Sequence, residues 1–297
     1  MMALPEKAAA LAEDFAGSAD GLEIGSSSRA GRQPRLSRFR IPLACVALVV
    51  WLLITTSNPF HVHTSTGLVG AVADGPQWGI LFAGLFLIVL AWLCRWRDLG
   101  LNPPISAKSL LLLWLPAIYL LIFVSLDFVA GPPPLAMVGF MALNIALGAF
   151  SEEMMFRGVL FAALRTRLSV AFAVIISSVL FGFAHLVNIA VFGNLQLAAA
   201  QAVAAAMSGV LFMAIRLRTG SLIPAIAYHA LWDFTSLMAV TRLLSDPGSG
   251  GGAAAAAATS GGLPLGMLVA PIALLLPNFL YALFLLRKRQ DAAQPAI

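Results

Sequence analysis

Charge is what this chain has least of. Charged residues make up 10% of its 297 positions, against about 25% in soluble domains. Hydrophobic residues make up 60%, and the mean hydropathy is +0.93. That balance excludes an ordinary soluble domain and points to an all-α, polytopic membrane helix bundle. Cysteine is nearly absent: Cys45 and Cys94 are the only two, and both lie in or at the end of apolar runs. No disulfide framework and no zinc-type cysteine spacing is available. No charged end followed by a short apolar core and a cleavage site precedes Ile41, so no secretory signal is read there. The net charge of +5 implies no nucleic-acid partner, because the basic residues flank apolar runs rather than forming one patch. HExxH and any long-period repeat are missing too.

What is present is a series of apolar segments at about 41–57, 78–95, 109–128, 135–164, 170–190, 195–217, 221–241 and 263–286. Most have the roughly 20 residues that a bilayer demands, giving about eight transmembrane helices in a bundle over 41–289. Residues 1–40 read as a disordered cytoplasmic tail, poor in apolar surface and ending in Arg29, Arg32, Arg35, Arg38 and Arg40. Residues 245–262, with the alanine run Ala253 to Ala258, read as a low-complexity outer loop, and 290–297 as a short tail. With eight spans and an inner N-terminus, every basic residue except Arg157 and Arg242 falls on an inner segment. This distribution puts both termini in the cytoplasm. A prokaryotic plasma membrane is the expected location. Pro116, Pro271 and Pro277 are expected to kink spans three and eight. Ala198, Ala202, Ala206 and Gly209 mark span six as a close-packing helix.

The fourth segment holds the anomaly. GAFSEEMMFRGVLFAAL, residues 148–164, places Glu152, Glu153 and Arg157 in an apolar run. Each charge in hydrocarbon costs at least about 2.5–3.5 kcal/mol on insertion scales, so three together require partners or a purpose. On a helix Glu153 and Arg157 are i,i+4 and pair on one face. Glu152 lies about 100° around and has no local cation. A carboxyl left without a cation in a dry site suits general acid/base work. Span five adds Phe181 and His185 one turn apart, and span seven adds His229 and Asp233 at i,i+4. Polar groups at depth turn towards the bundle interior, so Glu152, Glu153, Arg157, His185, His229 and Asp233 are expected to line one shared cavity. Taken singly, each histidine reads as an interhelical hydrogen-bonder, the Glu153–Arg157 pair as a packing device, and Asp127 and Asn144 as structural. His61 and His63 read as solvated loop residues. Counting from the inner helix ends puts Glu152, His185 and His229 about 20, 22 and 12 Å deep, which requires helix seven to begin below the membrane surface.

EEMMFRGVL, FGFAH and His229–Asp233 together resemble the EExxxR, FxxxH and HxxxN/D motifs of the CPBP family, the CAAX prenyl endopeptidase and bacteriocin-processing (ABI) membrane proteins. The resemblance covers roughly 135–241. It implies an intramembrane endopeptidase acting on membrane-associated substrates, including CAAX-type or otherwise lipidated peptides and proteins. Carried over, it makes Glu152 and His185 the activators of a water, His229 and Asp233 the oxyanion site, and Glu153 and Arg157, with Phe181, the support. The prenyl endopeptidases have Asn where this chain has Asp233. An ionised Asp would repel an oxyanion, so Asp233 is protonated, or orients His229 or a metal.

Three rivals use the same residues. A zinc metalloendopeptidase would take Glu152, His185 and His229 as ligands, whereas the preferred route needs no cofactor. A non-catalytic scaffold or immunity-type protein would keep the polar cavity as a structural network or peptide pocket. A transporter or proton relay ranks last, because no pair of related halves is visible.

Overall fold

A computed structural model describes residues 39–57, 73, 75–130, 135–245 and 264–290. Residues 1–38 (most of the basic tail), His61 and His63, most of the low-complexity loop and the last seven residues lie outside the described residues, and Arg40 at the end of that tail already belongs to the first helix. Among the described residues there is no strand. The chain runs through α1 (Arg40–Thr56), α2 (Trp78–Leu93), a 3-10 stretch (Ala107–Leu113), α3 (Trp114–Ala130) and α4 (Leu135–Glu153). A π-helical segment (Met154–Leu160) then leads into α5 (Phe161–Leu164). After it come α6 (Val170–Ala184), a 3-10 turn (His185–Asn188), α7 (Ile189–Phe192), α8 (Leu195–Thr219), α9 (Ile223–Ser245) and α10 (Leu265–Gln290). The all-α bundle read from hydropathy is the observed fold.

Among the described residues, four stretches are long and apolar enough to cross a membrane: Ala107–Phe128, Val170–Val191, Leu195–Thr219 and Leu265–Arg287. The apolar helices α1 and α2 are shorter, at 17 and 16 residues. Large apolar side chains such as Leu53, Trp92, Phe128 and Leu265 stand exposed on α1, α2, α3 and α10. Water would penalise such a surface and hydrocarbon would not, so the chain is an integral membrane protein.

The fourth segment is the hub. Every residue from Met154 to Leu164 is buried, and α1, α2, α6 and α8 all pack around it. α8 packs most extensively on α10 and α6, and glycines explain the closeness to α6. A Cβ on Gly182 would lie 2.5 Å from the Ala202 carbonyl oxygen and 2.9 Å from the Ala206 Cβ. The small-residue stripe read on span six is therefore a packing seam.

Helix ends follow from local chemistry. Ser169 caps α6 by accepting from the Phe172 amide, and Asn194 caps α8 by accepting from the amides of Gln196 and Leu197. Gly220 ends α8 at φ +66, a conformation that favours glycine. Pro116 falls in the first turn of α3, just after the 3-10 stretch, where its missing N–H costs least. α10 is assigned as one helix through Pro271 and Pro277.

Loop 98–106 lies across the α8–α9 turn. The Leu222 amide donates to the Gly100 carbonyl at 2.6 Å, and the Ile105 amide to the Thr219 carbonyl at 2.9 Å. The Ser221 hydroxyl donates to the Asn102 carbonyl. Thr219, Ser221 and Leu222 are fully buried as a result. α9 thus starts beneath a covering loop. Asp98 anchors this loop by an ion pair with Arg40, while its carbonyl accepts from Arg216 at 3.1 Å. Burial pushes the Asp98 carboxyl up. The Arg40 hydrogen bond and charge, with Arg216 behind them, outweigh burial and hold it below the usual carboxylate range.

Candidate functional site

The site grows from the junction of α4 with the π-helical segment. Ser151, Glu152 and Glu153 close α4, and the wider π turn begins at Met154. A π segment inserts a residue into the helical repeat and re-aims the side chains after it, which is why such segments cluster at functional sites. The changed turn is held from outside. The Ser177 hydroxyl of α6 donates to the Phe156 carbonyl at 2.7 Å. The Trp51 indole N–H of α1 donates to the Ser151 hydroxyl at 2.8 Å, and the Trp51 ring meets Phe156 edge-on at 5.5 Å.

The two adjacent glutamates have different surroundings. Glu153 is fully buried, while the Glu152 side chain keeps 25% of its surface exposed. The Glu153 Oε1 accepts from Arg157 Nη1 at 2.9 Å and from His229 Nδ1 at 3.0 Å. Arg157 is also fully buried, with its guanidinium 4.0 Å above the Phe181 ring and 5.1 Å from that of Phe212. Among the described residues its Nε and Nη2 have no hydrogen-bond partner, so the aromatic faces supply the remaining attraction. A Cβ on Gly209 would stand 3.0 Å from Nη2. Glycine there leaves room for the guanidinium.

His229 joins the groups on α4 to those on α9. Its Nδ1 faces Glu153, and its Nε2 lies 3.3 Å from Asp233 Oδ2 and 3.8 Å from Glu152 Oε2. Phe212 stacks on the imidazole at 4.5 Å and 25°. Glu152 and Asp233, with 49% of its side-chain surface exposed, give this cluster its open side. His185 leaves the α-helical path: α6 ends at Ala184, and His185 begins the 3-10 turn. Its Nδ1 bonds the Phe181 carbonyl at 2.9 Å, and its ring meets Phe181 at 4.6 Å. A hydrogen on Nδ1 leaves Nε2 as the free ring nitrogen. Among the described residues no direct bond joins Glu152 to His185.

The structure therefore brings together Glu152, Glu153, Arg157, His229 and Asp233 by direct contact, with Phe181 as the aromatic floor and His185 at its edge. Both expected i,i+4 pairs form. Asn144 is structural: its Nδ2 donates to the Gly75 carbonyl at 2.7 Å, and its Oδ1 accepts from the Gln77 amide at 2.9 Å. Sequence reasoning missed Trp51, Ser151, Ser177 and Phe212. Ser151 adjoins the glutamate pair, but nothing in the sequence ties Trp51 or Ser177 to it. Glu152, His185 and His229 are not arranged as a metal-holding group, and neither is any other set of three or more His, Cys, Asp or Glu among the described residues.

Residues 134–235 match the family model described as type II CAAX prenyl endopeptidase Rce1-like. The matched stretch spans α4 to α9 and contains Glu152, Glu153, Arg157, Phe181, His185, His229 and Asp233. No curated protein and no solved structure matches the chain.

Proposed function

Because residues 134–235 form a domain of the Rce1-like family of type II CAAX prenyl endopeptidases, a family of membrane hydrolases, we propose that this chain cleaves peptide bonds of membrane-associated substrates with a glutamate-activated water. Glu152 takes a proton from a water held between it and His185 Nε2. The resulting hydroxide attacks the scissile carbonyl carbon, and the proton passes to the leaving amine as the C–N bond breaks. His229 stabilises the developing oxyanion through Nε2–H, a donor that requires both ring nitrogens to be protonated because Nδ1–H is given to Glu153. Asp233 orients the imidazole from the Nε2 side, which is a role open to Asp as well as Asn. Glu153 and Arg157 hold His229 in place, and Phe181 supports Arg157.

The observation that carries this reading is the difference between the twin carboxylates. Glu153 is buried and doubly hydrogen-bonded, whereas Glu152 is partly exposed and stands 3.8 Å from His229, beyond hydrogen-bond distance. A packing device would need only the first. Phe181 and Phe212 cover Arg157, and Phe212 also stacks on His229, which shields the buried half of the cluster from water and strengthens the electrostatic interactions there.

The substrate is a peptide or protein with a CAAX-type, lipidated C-terminus, approached from the cytoplasmic side of a prokaryotic plasma membrane. The distribution of basic residues supports that topology, with both termini inside. The test is hydrolysis by the purified full-length protein of a peptide library that includes lipidated C-terminal peptides. Wild type should cleave, and Glu152→Gln and His185→Ala should fall by about 10²–10⁴-fold while remaining folded. Equal cleavage by all three would remove these residues from the mechanism. A phenotype that survives Glu152→Gln would favour the scaffold alternative.

A further inference from the structure

A second cavity, of about 920 Å³, lies outside the site as a groove between α6, α8 and α10. Its walls are aliphatic, with Val174 and Val179 from α6, Val203 and Val210 from α8, and Leu283 from α10. Its rim at one end is cationic and polar: Arg165, Ser169 and Arg287 all line it. We propose that this groove is a binding site for one anionic phospholipid, with the phosphate at the arginine rim and an acyl chain along the valine wall.

Three features select that occupant. First, the charges are of one sign. Arg165 precedes α6 and Arg287 lies in the last turns of α10, so two guanidiniums from different elements meet at one mouth, and no carboxylate lines the groove. Second, α6 is 15 residues long and begins at that mouth with Ser169 as its cap. The positive end of its dipole faces the same anion. Arg165 is positioned there by its own hydrogen bond to the Leu168 carbonyl. Third, the length fits. From Leu217 to Val203 the groove follows α8 for about 21 Å at 1.5 Å per residue, somewhat more than the half-thickness of a bilayer core of about 30 Å. A fatty-acyl chain of one leaflet spans that distance with its phosphate held at the interface. Such lipids give the cytoplasmic leaflet its negative surface potential, and this rim belongs to the side richest in basic residues.

The peptidase cluster is not used in this argument. The groove lies on the other side of the α6–α8 seam, where Ser178 lines it and packs against Gly209. Lipid binding is thus a separate property from peptide hydrolysis, and either can fail without the other.

The experiment is native mass spectrometry of the full-length protein in detergent, titrated with phosphatidylglycerol or phosphatidylcholine of equal chain length. Wild type should bind one phosphatidylglycerol in preference to phosphatidylcholine. Arg287→Gln and Arg165→Gln should each weaken it about fivefold, and the double variant about 25-fold, from about 1 kcal/mol per basic side chain near the surface. Val179→Trp, at a position already 43% exposed, should block the groove and lower phosphatidylglycerol binding with both arginines intact. Arg287 is exposed on a terminal turn, so its single variant carries the test even if Arg165→Gln misfolds. Equal binding of the two lipids, or no weakening in Arg287→Gln, would overturn the proposal. Unchanged binding in Val179→Trp would put the headgroup on the rim without a chain in the groove, and so overturn it as well. Full competition by millimolar glycerol 3-phosphate would reduce the site to one for free anions.

Discussion

Removing the Arg157 side chain should be more damaging to the fold than removing the pair it belongs to. Arg157 and Glu153 have no exposed side-chain surface and are 2.9 Å apart. Truncating one partner of such a buried pair typically costs about 3–5 kcal/mol, because a charge is left in a dry site. In Arg157→Met the orphan is Glu153, which keeps His229 Nδ1 as a donor at 3.0 Å. That residual partner sets the expectation at the lower end, about 3 kcal/mol. In Glu153→Gln the amide oxygen can still accept from Arg157, but the buried guanidinium, whose Nε and Nη2 already lack partners among the described residues, loses its counter-charge. The loss is again about 3 kcal/mol or more. The double variant leaves neither charge, and Met packs well against aromatic faces. Replacing a buried pair by apolar or neutral groups is often neutral, so the double variant should return to within about 1.5 kcal/mol of wild type. Hydrolysis should not return with it, since His229 Nδ1 no longer faces a carboxylate. The assay is reversible unfolding in mixed micelles, followed by tryptophan fluorescence, beside steady-state peptide hydrolysis on the same preparations. If Arg157→Met costs under about 1 kcal/mol, or if the two single losses simply add in the double variant, the buried-pair reasoning is wrong. Recovery of activity together with stability would refute the positioning role.

Gly182→Val should loosen the α6–α8 seam, because even a Cβ there stands 2.5 Å from the Ala202 carbonyl oxygen; a loss of at least about 1–3 kcal/mol in the same unfolding assay is expected, and an unchanged unfolding midpoint would contradict the packing described. The Asp98 carboxyl is held below its usual range by Arg40 and Arg216 against the opposing effect of burial, so its contribution to stability is present above the unfolded value of about 3.9 and is lost as pH falls through the lower folded value. The stability gap between wild type and Asp98→Asn should accordingly be constant near neutrality and close in acid; a gap that widens as pH falls would reverse the sign. Incubation with a strong chelator should leave peptide hydrolysis intact under the metal-free proposal, and loss of activity restored by zinc would favour the metalloendopeptidase instead.

Much of this protein is legible in one dimension because a bilayer is an unforgiving solvent. Apolar runs of about 20 residues must become helices there, since no water satisfies the backbone. Hydropathy therefore located α1, α2, α3, α6, α8 and α10 to within a few residues. Charges inside such runs are costly enough to mark themselves, so Glu152, Glu153, Arg157, His229 and Asp233 could be picked out before any geometry was known. Their i,i+4 pairings depend only on helical pitch, and both pairs are present.

Tertiary structure decided the rest, because it depends on the register between helices, which periodicity does not encode. Which glutamate receives His229 is set by how α9 sits against α4, and it is Glu153, leaving Glu152 on the open side. The π turn at Met154 became possible where Ser177 of a different helix could serve the Phe156 carbonyl. Trp51, 100 residues from Ser151, reaches it only because α1 packs on the hub. His185 looks like a mid-helix residue by hydropathy, yet the helix changes to a 3-10 turn there, and its Nδ1 is taken by the Phe181 carbonyl. Composition could nominate the polar groups; only the packing of neighbouring helices could assign each nitrogen and oxygen its partner.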